Sequence, residues 1–189
     1  MHWFAKHLVL ATLDRVRSTA NQPIPPPRAR GDEAILRIAL RSDAQSMHRV
    51  YQASLSGPRQ EAVFLRLVRC FPQLCVIATH RGSCVGYTVG RIRRGIRTHR
   101  LAAYLHSFAI EGEARRKGVG TALFQFFLDN ARTLGVAEVD LEVDRENRTA
   151  IALYSRSGLE VLPEAKTGND ATLYMGMTFP VIGSSVLRK

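Results

Sequence analysis

Apolar residues recur along this chain with two periods, near 3.6 and near 2, and the switches between them predict its elements. In residues 1–20, Trp3, Phe4, Leu8, Val9, Leu13 and Val16 stand among Lys6, Arg15 and Arg17, the spacing of a short amphipathic helix. Pro23, Pro25, Pro26 and Pro27 then form a polyproline linker. The expected organisation is an extension over residues 1–33, a folded domain over 34–183 and a tail over 184–189. Inside the domain, 34–40 reads as a strand. Ser42 and Gln45 match a capping box, and Met47, Val50, Tyr51 and Leu55 follow at helical spacing. Gly57-Pro58 breaks that helix, and Val63, Phe64, Leu67 and Val68 mark a second one that Pro72 ends. Residues 74–79 and 84–92 are β-branched runs joined by a short turn, hence a hairpin, and 103–110 is a further strand.

From 119 to 134 a longer helix places Val119, Leu123, Phe126, Phe127, Ala131 and Leu134 on one face, with Gly135 as its cap. Residues 136–143 alternate as a strand, with Glu138, Asp140 and Glu142 on one face. Asn147 opens a helix that Gly158 closes, and 159–162 with 172–178 make a last strand pair. The order β-α-α-β-β-β-α-β-α-β-β implies an α/β or α+β fold, with a mixed sheet and helices on both faces.

Charge adds a second layer. Residues 35–107 hold 12 basic and 2 acidic side chains, and most of the net charge of +11 lies there. Such a field attracts phosphates, nucleic acid or acidic groups, and equally suits a solubilising Arg-rich surface. Arg91, Arg93, Arg94, Arg97 and Arg100 crowd one turn, where ribosome or RNA contact is an expectation. The apolar runs are too short for a transmembrane helix, and no membrane contact is expected. Three cysteines, Cys70, Cys75 and Cys84, lack zinc-site spacing. They read as buried structural thiols in a reducing, cytoplasmic setting, with no metal implied.

The most informative stretch is Glu111-Gly112-Glu113-Ala114-Arg115-Arg116-Lys117-Gly118-Val119-Gly120-Thr121, between a strand and the long helix. Unpartnered amides at a helix start, glycines that admit close backbone approach, and three cations make an anion cradle. A Walker loop fails because residue 117 is Lys, and the dinucleotide fingerprint fails because residue 123 is Leu. What remains is Arg115-x-x-Gly118-x-Gly120. Downstream, Leu141-x-Val143, Asn147, Ala150, Leu153-Tyr154 and Gly158 keep a fixed spacing, with Leu159 where a Phe is usual.

Together these segments resemble the GNAT acetyltransferases over roughly residues 34–180, most closely the branch typified by ribosomal-protein-alanine N-acetyltransferase. The resemblance implies a GNAT-like, mostly antiparallel central sheet and acetyl-CoA as acetyl donor. Backbone groups of Phe108, Ala109 and Ile110 would meet its pantetheine arm. Arg115, Arg116, Lys117, Gly118, Val119, Gly120 and Thr121 would hold the pyrophosphate. Asn147 would touch the donor, serve only as a helix cap, or do both. Tyr154 would be the general acid. Glu142, 12 residues earlier, would be the base. Its acidic strand face reads either as solvated surface or, better, as a water-filled cleft that attracts a cationic amine. The implied acceptor is a protein N-terminal amine. The tyrosine-rich last hairpin common in that branch is missing from 163–171, which keeps a small-molecule amine or a non-catalytic CoA- or anion-binding module as alternatives. Monomer and homodimer both remain open.

Overall fold

Seven strands form one sheet in the computed structural model, which describes residues 34–55, 58–163 and 170–180. They are β1 (Ile35–Ile38), β2 (Cys75–His80), β3 (Ser83–Arg94), β4 (Leu101–Ile110), β5 (Glu138–Asp144), β6 (Glu160–Val161) and β7 (Thr172–Thr178). Their spatial order is β1-β2-β3-β4-β5-β7-β6. Only β4 and β5 pair in parallel. The helices are α1 (Ala44–Ser54), α2 (Glu61–Cys70), α3 (Val119–Thr133) and α4 (Arg148–Arg156). The predicted helix in 1–20, the proline linker and the tail lie outside the described residues.

Local chemistry explains most boundaries. Arg81 and Gly82 take φ of 50° and 80°, the double positive-φ turn whose twist matches a two-residue hairpin between β2 and β3. At the start of α1 the expected Ser42–Gln45 box is not what caps the chain. A 3-10 turn precedes the helix, and Asp43 accepts the Leu40 amide at 2.7 Å while ion-pairing with Arg37 at 2.7 Å. A carboxylate already fixed by a guanidinium is the better acceptor for that amide.

The sheet is covered on both faces, so its central strands read as nearly continuous apolar runs. On one face α1 and α2 bury Met47, Val50, Phe64 and Leu67 over Ile77, Tyr87 and Val89. Phe64 meets the Tyr87 ring edge-on at 5.3 Å. On the other face α3 buries Leu123, Phe124, Phe127, Leu128 and Ala131. Phe124 and Leu128 widen the single predicted stripe, because α3 lies across several strands while Tyr154 of α4 packs on its flank. Phe126 is only partly buried.

Cys75 and Cys84 are buried as expected, and burial pushes their thiols up to about 12 and 11. Cys70, by contrast, is exposed at the end of α2. Among the described residues no helix is long and apolar enough to cross a membrane.

One irregularity organises the centre of the molecule. Val89 pairs with Ser107 but Gly90 pairs with Leu105, so His106 is an extra residue in β4. Such a bulge bends and twists its strand. Beyond it β4 leaves β5: their pairing covers only Ala102–Leu105 against Glu138–Leu141. The two strands part there and open a gap in the middle of the sheet.

Candidate active site

The gap has three borders: the free edge of β4, the turn leading into α3, and the ends of β5 and α4. Glu111 donates its amide to Val85 of β3 at 2.9 Å. Strand alternation then turns the Ala109 backbone toward β3 and those of Phe108 and Ile110 toward the gap. Of the three residues expected to meet a pantetheine arm, Phe108 and Ile110 turn backbone groups toward the gap, and buried Ala109 serves the sheet. The Ile110 carbonyl already accepts from Ser54 Oγ at 3.2 Å and Arg115 Nε at 3.0 Å.

The turn before α3 has the geometry of an anion cradle. Arg116 and Gly118 both have positive φ, 61° and 81°, which rotates successive amides to one side. The first intrahelical bond runs from Ala122 N–H to the Gly118 carbonyl at 3.0 Å. The amides of Val119, Gly120 and Thr121 precede it and have no partner within the helix. Arg115, Arg116 and Lys117 are exposed around this mouth, and Arg49 holds the Glu111 carboxylate at 3.0 Å. A Cβ at Gly120 would stand 3.6 Å from Phe108 and 3.8 Å from Ile110, inside the opening between α3 and β4. The residues present thus fit a diphosphate at the turn and an extended arm along β4.

Tyr154 is buried with its ring edge-on to Phe124 at 5.0 Å and 6.4 Å from Phe108. Burial drives its phenol well above the ordinary tyrosine range, so it stays protonated. Asn147 caps α4 by accepting the Ala150 amide at 3.1 Å, a bond of about 1 kcal/mol.

The acidic face of β5 does not form a continuous water-filled cleft. Glu138 is fully buried and its carboxylate accepts from the amides of Ile96, Arg97 and Thr98 and from the Thr98 hydroxyl, at 2.9–3.2 Å. It clamps the turn between β3 and β4, where a Cβ at Gly95 would collide with it. Asp140 is also fully buried and meets Arg93 at 2.9 Å. Burial pushes its carboxyl up to about 6 against the pull of Arg93. Glu142 alone is exposed, one residue past the last β4–β5 pair. It sits on the sheet face opposite the cluster that holds Tyr154, so the two flank the gap from its two sides.

Two residues near Glu142 carry no signal in the sequence pattern. Tyr104 donates to Glu142 Oε1 at 3.3 Å, and Tyr174 stands opposite Glu142 on β7. Arg93 lies over the Tyr104 ring at 4.3 Å and the Tyr174 ring at 5.8 Å. Only the strand register could have placed them together. The arginine cluster expected at one turn is divided: Arg93 binds Asp140, Arg97 reaches Glu160 at 3.7 Å, and Arg94 donates to the His99 carbonyl at 3.1 Å.

Comparison with known proteins agrees with this geometry. The family model described as Acetyltransferase (GNAT) family matches residues 39–159. N-alpha-acetyltransferase MAK3 of Arabidopsis thaliana is 32% identical over 104 residues, 55% of this chain and 54% of that protein. The [Ribosomal protein bS18]-alanine N-acetyltransferase of Escherichia coli is 39% identical over 56 residues, 30% of this chain and 38% of that one. The crystal structure of Ard1 from Thermoplasma volcanium is 30% identical with a TM-score of 0.65, covering 77% of this chain and 97% of that one. The chain spans about half the length of the Arabidopsis relative.

Proposed function

This chain belongs to the GNAT acetyltransferase family, and from that premise we propose that it transfers an acetyl group from acetyl-CoA to a primary amine, the N-terminal α-amine of a protein or peptide. The observation that carries the reading is the parting of β4 and β5, with an anion cradle at one end and Tyr154 and Glu142 at its sides. The donor supplies an acetyl group activated as a thioester. The amides of Val119, Gly120 and Thr121, with Arg115, Arg116 and Lys117, hold its diphosphate. The free edge of β4 at Phe108 and Ile110 aligns the arm as an added strand.

The chain's acid–base groups then have separate tasks. An ammonium is not a nucleophile, and Glu142 takes its proton, directly or through water. Tyr104 holds that carboxylate at the mouth of the gap, across from Tyr174 on β7. On the other side the Tyr154 phenol, kept protonated by burial, donates to the departing sulfur. Its raised proton affinity makes the hydrogen bond to the developing thiolate its first contribution, and the proton crosses only because a thiolate formed in the same dry site is raised in proton affinity too.

The test is incubation with labelled acetyl-CoA against peptides with free α-amines, ribosomal proteins, polyamines, aminoglycosides and amino acids. Label is expected on peptide α-amines. Label confined to small amines would overturn the acceptor assignment, and none on any amine would overturn the enzymatic reading. Tyr154→Phe should lower kcat by about 10²–10⁴-fold and leave the acetyl-CoA Kd unchanged. Unaltered turnover in that variant would remove Tyr154 as the acid.

A further inference from the structure

A cavity of about 360 Å³ opens on the α2 side of the sheet, lined by Ala62, Val63, Arg66, Leu67, Arg91 and His106. Two elements line it with cations, and a third arginine reaches the backbone of a lining residue. Arg66 comes from α2, Arg91 from β3, and Arg59, just before α2, donates from Nη1 to the His106 carbonyl at 3.3 Å. The arginines nearby are paired: Arg49 with Glu111 and Arg93 with Asp140. Arg59, Arg66 and Arg91 form no ion pair among the described residues. Glu61, the carboxylate on the same helix, lines a different cavity with Gln45, His48 and Arg49.

The His106 imidazole registers the uncompensated field. Burial first, then Arg59, Arg91 and Arg66, push it down to about 4, so the ring stays neutral beside them. The rest of the α2 lining, Ala62, Val63 and Leu67, is aliphatic.

This cavity also adjoins the candidate base. The Arg91 guanidinium lies over the Tyr104 ring at 5.2 Å, and the His106 ring is 6.2 Å from it. The Tyr104 hydroxyl in turn donates to Glu142. A group seated among the arginines is therefore separated from the amine-activating carboxylate by one aromatic ring.

Resting on the acetyltransferase reading above, we propose that Arg59, Arg66 and Arg91 form an anion subsite of the acceptor site, so that the amine acceptor is one that carries a carboxylate close to its reacting amine. Guanidinium forks bind carboxylates in two-point fashion, and three convergent ones without a resident acid give a site that an acid completes. The aliphatic wall accommodates the methylenes of a short acidic side chain. Its small size suits a side chain better than a nucleic-acid strand. The carboxylate is either an acidic residue early in a peptide or the α-carboxylate of a free amino acid.

The test uses the full chain and two matched sets of probes. The first is peptides with a free α-amine and Glu or its isostere Gln at the first, second or third position. The second is free amino acids against their amides. Both acetylation rate and binding by calorimetry are read. The acidic member of one set is expected to be favoured by about tenfold or more in kcat/KM and Kd, with the advantage shrinking as salt rises. Arg66→Gln, at an exposed position, should bring the acid-to-amide ratio toward one, and Arg66→Glu should invert it. Equal handling of acid and amide by the unaltered protein overturns the subsite. So does displacement of the bound anion by an oligonucleotide but not by the acidic peptide. Preferential binding of the acid without acetylation of any probe leaves the subsite standing and removes the acetyltransferase reading.

Discussion

Three carboxylates alternate along β5, and their surroundings give them three different fates. Glu138 has four donors and Asp140 has Arg93, so both are spent on holding the β3–β4 region against β5. Glu142 keeps solvent access, accepts from the Tyr104 hydroxyl and forms no ion pair among the described residues. This sorts the strand into structural and chemical positions without reference to any relative. Glu142→Gln should therefore lower kcat/KM by about 10²–10⁴-fold while leaving urea unfolding within about 0.5 kcal/mol of the parent. Glu138→Gln should show the reverse, a loss of about 1–3 kcal/mol in stability from donors left short of a charged acceptor. Paired kinetics and urea curves on the two variants decide it. A Glu142→Gln enzyme with undiminished kcat/KM would return the base to a water chain.

At the scale of elements, the strand–turn–helix from β4 into α3 is the part that the proposed donor site needs open. Gly118 takes a positive φ that favours glycine, and a longer side chain at Gly120 would extend beside Phe108 and Ile110, where a Cβ alone makes ordinary contacts. Gly120→Glu should abolish acetyl-CoA binding in a direct titration and keep the far-UV spectrum of the parent; a normal Kd would show that the donor binds elsewhere. Much of this element was legible in the order of residues. A strand, two close glycines, flanking cations and a 3.6-residue period are all local signals. The gap beside it was not, since the bulge at His106 is defined by pairing across strands and has no residue signature of its own. The fate of the acidic face was hidden for the same reason. The groups that neutralise Glu138 lie about 40 residues earlier in the chain. Local periodicity reports that three carboxylates share a face, and cannot report that the turn at 95–98 folds onto one of them. The same holds for Phe124 and Leu128, whose burial depends on how far α3 spreads over the sheet.

For the whole molecule, the net charge of +11 makes acid the hazardous direction, because every carboxylate that takes up a proton adds to the repulsion. Two groups, partly buried His106 and buried Asp140, act on stability in the same pH range with opposite sign. His106 is pushed down to about 4 from an ordinary 6.5, so its contribution is complete above pH 6.5 and is lost as pH falls toward 4. Asp140 is pushed up to about 6 from 3.8, so its contribution is complete below pH 3.8 and is lost as pH rises through 6. Between these limits the two slopes oppose each other and flatten the profile of the parent protein. His106→Gln removes one slope and leaves the other. Measured by urea unfolding at pH 5, 6 and 7.5, the variant should gain on the parent as the solution is acidified, with the change concentrated below pH 6.5. Asp140→Asn should do the opposite, gaining on its parent as pH rises, on top of a fixed loss from leaving Arg93 without its partner. A gap between parent and His106→Gln that stays constant across pH would mean that the imidazole protonates freely in the folded state. The field of Arg59, Arg66 and Arg91 would then be compensated, and the argument for an acid-seeking cavity beside Tyr104 would lose its internal probe.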